Sequence, residues 1–191
     1  MRRREFIALL GGAAVCPLAA HAQQARSYTI GVLTLSSPGP DALLTALREG
    51  LRDAGYVEGR NLRLEIRAAE GSPDLQLNAA AELVRLRVDL IVTFFTPPAL
   101  AAKQATSDIP IVMAGAGDPV ATGLVASLSR PGGNVTGQSS GGAELAGKSV
   151  ELVREIIPAV RRIGVLSDAS DPFARPYAAS IAARHRSASR R

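Results

Sequence analysis

Val88-Asp-Leu-Ile-Val-Thr-Phe-Phe-Thr-Pro-Pro-Ala-Leu-Ala-Ala-Lys-Gln-Ala-Thr-Ser-Asp-Ile-Pro-Ile-Val-Met-Ala114 decides the fold. Its first six residues are an apolar, β-branched run, the pattern of a strand buried on both faces. Thr96-Pro97-Pro98 then opens a helix that runs to about Ala105; proline suits the first turn, where its missing N–H would have no partner anyway. Ile109–Ala114 is a second apolar run. Strand, helix and strand separated by short connections signal a crossover between parallel strands, and such crossovers are right-handed.

The same alternation extends toward the N-terminus. Tyr28–Leu35 is another buried-strand run, broken by Ser36-Ser-Pro-Gly-Pro40. Asp41 can cap a helix to Ala54, with Leu43, Leu47, Leu51 and Ala54 on one face and Gly55 as the stop. Leu62, Leu64 and Ile66 alternate with Arg63, Glu65 and Arg67, as in a strand near a sheet edge. Ser72-Pro73-Asp74 starts a helix reaching about Arg87. The order β-α-β-α-β-α-β predicts an α/β fold, a parallel sheet with helices on both faces.

Beyond Ala114 the pattern changes. Gly115–Pro119 is a loop, Arg130-Pro-Gly-Gly-Asn134 a sharp turn, and Val135-Thr136-Gly137 a short strand. A helix is expected from about Glu144 to Ile157, with Leu145, Leu152, Val153 and Ile156 inward and Pro158 as its stop. Ile163–Leu166 reads as a strand, Ser167–Pro172 as a loop, and Pro176–Ala183 as a helix that dissolves into a basic end. So few elements can hardly enclose a core of their own. The expected division is a leader over 1–22, an N-terminal α/β lobe over 23–134, a hinge and partial second lobe over 135–183, and a disordered basic tail over 184–191.

Residues 1–22 have the layout of a secretory signal. Three arginines precede an uncharged apolar stretch, and Ala20-His21-Ala22 forms a small-x-small cleavage site. Arg3-Arg4 gives the leader a twin-arginine look. Cleavage after Ala22 would remove Cys16, the single cysteine, so no disulfide is expected in the mature chain. The expected location is the periplasm. The formal charge of +5 sits in the leader and the last eight residues; residues 23–183 carry 15 basic and 16 acidic side chains. A near-neutral body with no basic stripe excludes nucleic acid as the expected partner.

These segments resemble a known family. Ala54-Gly-Tyr-Val-Glu-Gly-Arg-Asn61, Thr96-Pro-Pro-Ala99, Gly117-Asp-Pro-Val120 and Ser127-Leu-Ser-Arg-Pro-Gly-Gly-Asn-Val-Thr-Gly137 are similar to the ABC transporter substrate-binding proteins of the tryptophan/tyrosine-type uptake group. The resemblance implies a class I periplasmic-binding-protein fold of two lobes with the ligand between them, and a permease in the inner membrane as partner. Family members are longer, so the first lobe is expected whole and the second partial, as in a truncated reading frame. The chain is expected to be a monomer that binds a small amino-acid-like or carboxylate solute without catalysis or cofactor.

In a parallel α/β sheet, ligands collect beyond the carboxyl ends of the strands. The loops there offer Thr34, Ser36, Ser37, Thr93, Thr96, Gly115, Asp118, Thr136 and Gly137 as candidate ligand contacts. The Thr96 hydroxyl and the amides from Ala99 onward could hold a carboxylate at a helix N-terminus, and Asp118 could pair with an ammonium. The simpler alternatives are that Thr96 caps its helix and Asp118 caps a turn. Phe94 and Phe95 could stack on an aromatic solute.

Two further patterns carry less. Gly115-Ala-Gly-Asp-Pro-Val120 begins like a dinucleotide fingerprint but lacks the third glycine. Gly137-Gln-Ser139-Ser-Gly141 fits a serine-hydrolase elbow, with Asp168 or Asp171 and His185 following in hydrolase order. A base on a fraying tail is poorly held against its serine. The remaining histidine and the dispersed carboxylates offer no metal site.

Overall fold

The computed structural model describes residues 27–35, 42–69 and 72–188. The expected leader, Ser36, Ser37, Asp41 and the last three residues lie outside them.

Five strands form one parallel sheet in the order β2-β1-β3-β4-β5. They are β1 (Tyr28–Thr34), β2 (Leu62–Ala68), β3 (Leu90–Phe94), β4 (Ile111–Ala116) and β5 (Val135–Ser139). Helices α1 (Ala42–Asp53), α2 (Pro73–Arg85) and α3 (Thr96–Ala105) connect the first four strands. Helices α4 (Gly142–Ile156) and α5 (Ala174–Ala188) follow the sheet. The β2 strand is at the edge, where its alternating charges belong, and it pairs with β1 from Tyr28 opposite Leu62 to Thr34 opposite Ala68.

Side-chain alternation along the central strands makes two cores. Ile30 and Val32 of β1, Val92 and Phe94 of β3 pack with Leu44 of α1 on one face. Leu33, Ile91, Ile111 and Met113 pack with Leu83 of α2 and Ala99 and Ala102 of α3 on the other. Gly31 lies under Leu83, where an added Cβ would meet the leucine at 3.0 Å. The expected inward face of α1 shifts by one residue. Leu44 is its buried leucine, with Leu47 and Leu51 half-buried beside it, whereas Leu43 is exposed. Gly55 ends that helix region with a positive φ of 87°, a conformation that favours glycine.

Four expectations for the C-terminal third are corrected. Val135–Ser139 is the fifth strand of the first sheet, paired in parallel with β4 from Ile111 opposite Val135, so an N-terminal lobe ending at 134 would cut between hydrogen-bonded strands. The α4 helix turns Ala146, Gly147 and Val150 inward; Leu145, Leu152 and Ile156 are exposed, because this helix packs mainly on α5 through small residues. Ile163–Leu166 is not a strand. No described strand runs alongside to satisfy its backbone, and Leu166 is fully exposed. The last helix does not dissolve after Ala183 but continues to Ala188, as its alanine- and arginine-rich sequence favours.

Candidate functional site

The sheet order reverses between β1 and β3: the chain leaves β1 toward one side and β3 toward the other. A crevice opens at such a switch point, outside the carboxyl ends of the strands. Here it holds a cavity of about 350 Å³. Leu35 from the end of β1 forms one wall, Pro73, Gln76 and Leu77 of α2 and Pro97, Leu100, Ala101 and Gln104 of α3 form two more, and the loop Asp168–Pro172 closes it. Its volume falls in the range of small-molecule sites, and its walls are mostly apolar with a few polar groups, the usual composition of such sites.

The other half of the rim is covered. The Phe173 ring packs directly on the backbone of Gly117, at the end of β4, and against Gly142, the first residue of α4. A Cβ at Gly117 would collide with that ring. Phe173 also meets Tyr177 edge-on, with ring centroids 5.7 Å apart.

Hydrogen bonds tie the rim loops to one another. The Gly117 amide donates to the Thr96 hydroxyl at 2.9 Å. The Ser139 hydroxyl donates to the Gly117 carbonyl at 3.0 Å and accepts from the Gly141 amide at 3.2 Å. The Ser140 amide donates to Ala116 O at 2.8 Å. Thr96 accepts from Gly117 through its hydroxyl oxygen and is not its helix's cap. It is buried and fastens the β4 loop to the start of α3, while Phe95 occupies the cap position without a side-chain bond.

Phe95 has φ 70° and ψ 179°, a region that is nearly glycine-only. Its amide donates to Ala114 O at 3.1 Å, which holds the distorted backbone in place. Such a residue costs on the order of 1–3 kcal/mol. Because Phe95 is about half exposed and its backbone strain is the larger effect, Phe95→Gly should stabilise the fold by up to about 1 kcal/mol after glycine's own entropy cost, read as a higher urea midpoint at unchanged slope.

The other expected contacts divide. Thr34 ends β1 and does not itself line the cavity, which its neighbour Leu35 does; it is buried, and its carbonyl accepts from the Ala69 amide. Ala99 is fully buried in the α3 core and does not line the cavity. Thr93 lies within β3, fully buried, and its hydroxyl oxygen has no partner. Gly115 sits at the irregularity where β4 and β5 shift register, with φ 70°. Asp118 caps its own turn by accepting from the Ala121 amide at 3.0 Å. Thr136 and Gly137 pair with Val112 and Met113 in the body of the sheet, below the rim.

Five polar cavity residues, Gln76, Gln104, Asp168, Ser170 and Asp171, were not among the expected ligand contacts. Gln76 is 7% exposed, reaches the cavity wall, and has no side-chain hydrogen bond. Asp168 and Asp171 each use one oxygen to build the closing loop. Asp168 Oδ1 accepts from the Ser170 amide at 2.8 Å and hydroxyl at 2.7 Å, and Asp171 Oδ1 accepts from the Phe173 amide at 2.9 Å. The Ser170 hydroxyl, then its amide, hold the Asp168 carboxyl below the ordinary aspartate range. The contribution of this turn is complete above that range and lost as pH falls through the depressed value. An NMR titration should find the Asp168 midpoint below that of an unbonded aspartate, and Ser170→Ala should raise it.

The serine-hydrolase pattern gains no support at Ser139. Ser139 ends a strand with ordinary backbone, not a strained elbow, and its hydroxyl is committed to Gly117 and Gly141. Asp168 accepts from Ser170 through Oδ1, and His185 falls within α5. Among the described residues, no group of three or more metal-ligating side chains gathers, and no helix is long and apolar enough to cross a membrane.

The fold is that of the class I periplasmic binding proteins. The family model for ABC transporter substrate binding protein matches residues 29–183, and the chain belongs to that family. It is 37% identical over 147 residues to a tyrosine-binding protein of Clostridioides difficile (strain R20291), covering 76% of this chain and 42% of that one. A conserved domain protein of Vibrio cholerae superposes with a TM-score of 0.79 at 33% identity, over 85% of this chain and 55% of its own. An ABC domain from Streptococcus pneumonia in complex with L-Trp superposes with a TM-score of 0.75 at 31% identity, over 85% and 54%. The chain thus spans about half the length of these relatives.

Proposed function

We propose that this chain is the solute-binding component of an ABC importer and holds a small amino-acid-like or carboxylate solute without transforming it. The observation that carries this reading is the cavity at the β1/β3 switch point, walled by the start of α2 and the length of α3. Family membership supports it, as do relatives whose names state tyrosine binding and whose crystals hold L-Trp. The leader-like residues 1–22 support export to the periplasm with cleavage after Ala22, where an inner-membrane permease would be the partner of a monomeric receptor. In this reading the first lobe comprises the sheet through β5, and α4, the Asp168–Pro172 loop and α5 belong to the second. Solute would draw the two together by hinge closure.

Thermal unfolding in L-tyrosine, L-tryptophan and L-leucine tests it. A bound solute at about 100 times its Kd adds about 2.7 kcal/mol, a rise of several degrees in Tm. Mass spectrometry should recover the solute unchanged, and a fluorophosphonate probe should leave Ser139 unlabelled. No shift with any solute, or a chemically altered one, contradicts the reading.

A further inference from the structure

We infer that the cavity selects its solute by an ammonium group and does not require a carboxylate. The inference rests on the receptor reading above and concerns what that site recognises. Asp168 and Asp171 stand together in the closing loop, and each carboxylate has one oxygen that no turn hydrogen bond uses. Among the described residues, no lysine, arginine or histidine lines the cavity; Arg175 borders the adjoining hollow instead. A solute carboxylate would therefore meet negative charge without a countercharge, whereas an ammonium would find two acceptors.

The second observation is independent of the carboxylates. Gln76 lies on α2, more than nine-tenths buried, with no side-chain hydrogen bond, and it reaches the same cavity. The Gln76 amide is not sealed off, and the cavity is the opening that it lines. Its amide offers a donor and an acceptor to a polar atom of the solute. Leu77 and Leu100 supply an apolar wall for the solute's body. The recognised class is a small primary amine with an apolar or aromatic body, with or without a carboxylate.

Calorimetric titration of the full chain with three matched probes tests this: L-tyrosine, tyramine (ammonium, no carboxylate) and 3-(4-hydroxyphenyl)propionate (carboxylate, no ammonium). Tyramine should bind within about threefold of L-tyrosine, and the propionate at least about tenfold more weakly, the scale of one charge-assisted hydrogen bond. The double substitution Asp168→Asn with Asp171→Asn keeps the Oδ1 acceptors of the turns and should remove tyramine binding. Gln76→Leu should weaken both amines about tenfold, and Gln76→Met replaces it if leucine unfolds the chain. Binding of L-tyrosine and the propionate but not tyramine overturns the inference and leaves the receptor reading intact. Tyramine binding unchanged in the double variant also overturns it. Binding of none of the three overturns the inference, and the thermal screen with L-tryptophan and L-leucine then decides whether the receptor reading falls too.

Discussion

Gly137→Ala should destabilise the fold by about 3–4 kcal/mol, among the largest effects of any single substitution in the sheet. Two separate causes act at this position. Its φ of 135° is a conformation that side chains rarely adopt, and its Cβ would strike the backbone of Met113 on the neighbouring strand. The carbonyl and amide of Met113 belong to β4 and cannot move aside as a flexible side chain would. Backbone strain of this kind costs on the order of 1–3 kcal/mol, and overpacking adds a comparable amount. Urea unfolding of the variant should show a much lower midpoint at nearly the same slope. An unchanged midpoint would mean that β5 does not lie against β4 as described.

Ile91→Ala should cost about 2–5 kcal/mol. Ile91 is fully buried in β3, whose neighbours on either side are β1 and β4, and it packs in the core beneath α2 and α3. Its amide donates to Pro110 O at 2.9 Å, so the backbone there is pinned and cannot collapse readily into the space left by the side chain. The loss therefore includes a cavity contribution besides the lost burial. Exposed Leu166→Ala, by contrast, should stay within about 0.5 kcal/mol. Equal effects from the two substitutions would contradict the placement of the core.

The layered sheet was legible because hydrophobic periodicity is local. The Val88–Ala114 run carries its own strand, helix and strand, and each side chain's fate is set by neighbours a few residues away. Val135–Ser139 was legible as a strand but not as a member of the first sheet, since its short, glycine-containing sequence does not say which edge it joins. Ile163–Leu166 shows the converse: β-branched residues propose a strand, but only a partner can make one. The lining residues were not legible: none of the described expected contacts lines the cavity, although Leu35 and Pro97, the chain neighbours of Thr34 and Thr96, do. Nor was what Thr96 does. A threonine before two prolines reads as a cap, and its actual bond reaches Gly117, 21 residues away.

Gln76 was hidden for a related reason. In the sequence it is a polar residue inside an amphipathic helix, expected to face water. Its burial depends on α2 lying beside α3 and on the Asp168–Pro172 loop returning over both. Asp168 and Asp171 read as loop residues, and either one as the acid following Ser139 in hydrolase order; the turns exist, with Ser170 and Phe173 as donors, but their position over the switch point is a property of the tertiary fold. Gly137 drew attention as a candidate contact, and the structure gives it a different role, that of the residue which lets β5 approach Met113.

Hydrogen exchange of the full chain with and without saturating L-tyrosine tests the central claim most directly. Amides of Leu75–Leu77, Leu100–Gln104 and Ser170–Asp171 should slow together, because one solute in the switch-point cavity touches all three segments. Protection confined to Thr136–Gly141, or spread over the exposed face of α4, would contradict the placement of the solute between α2, α3 and the closing loop.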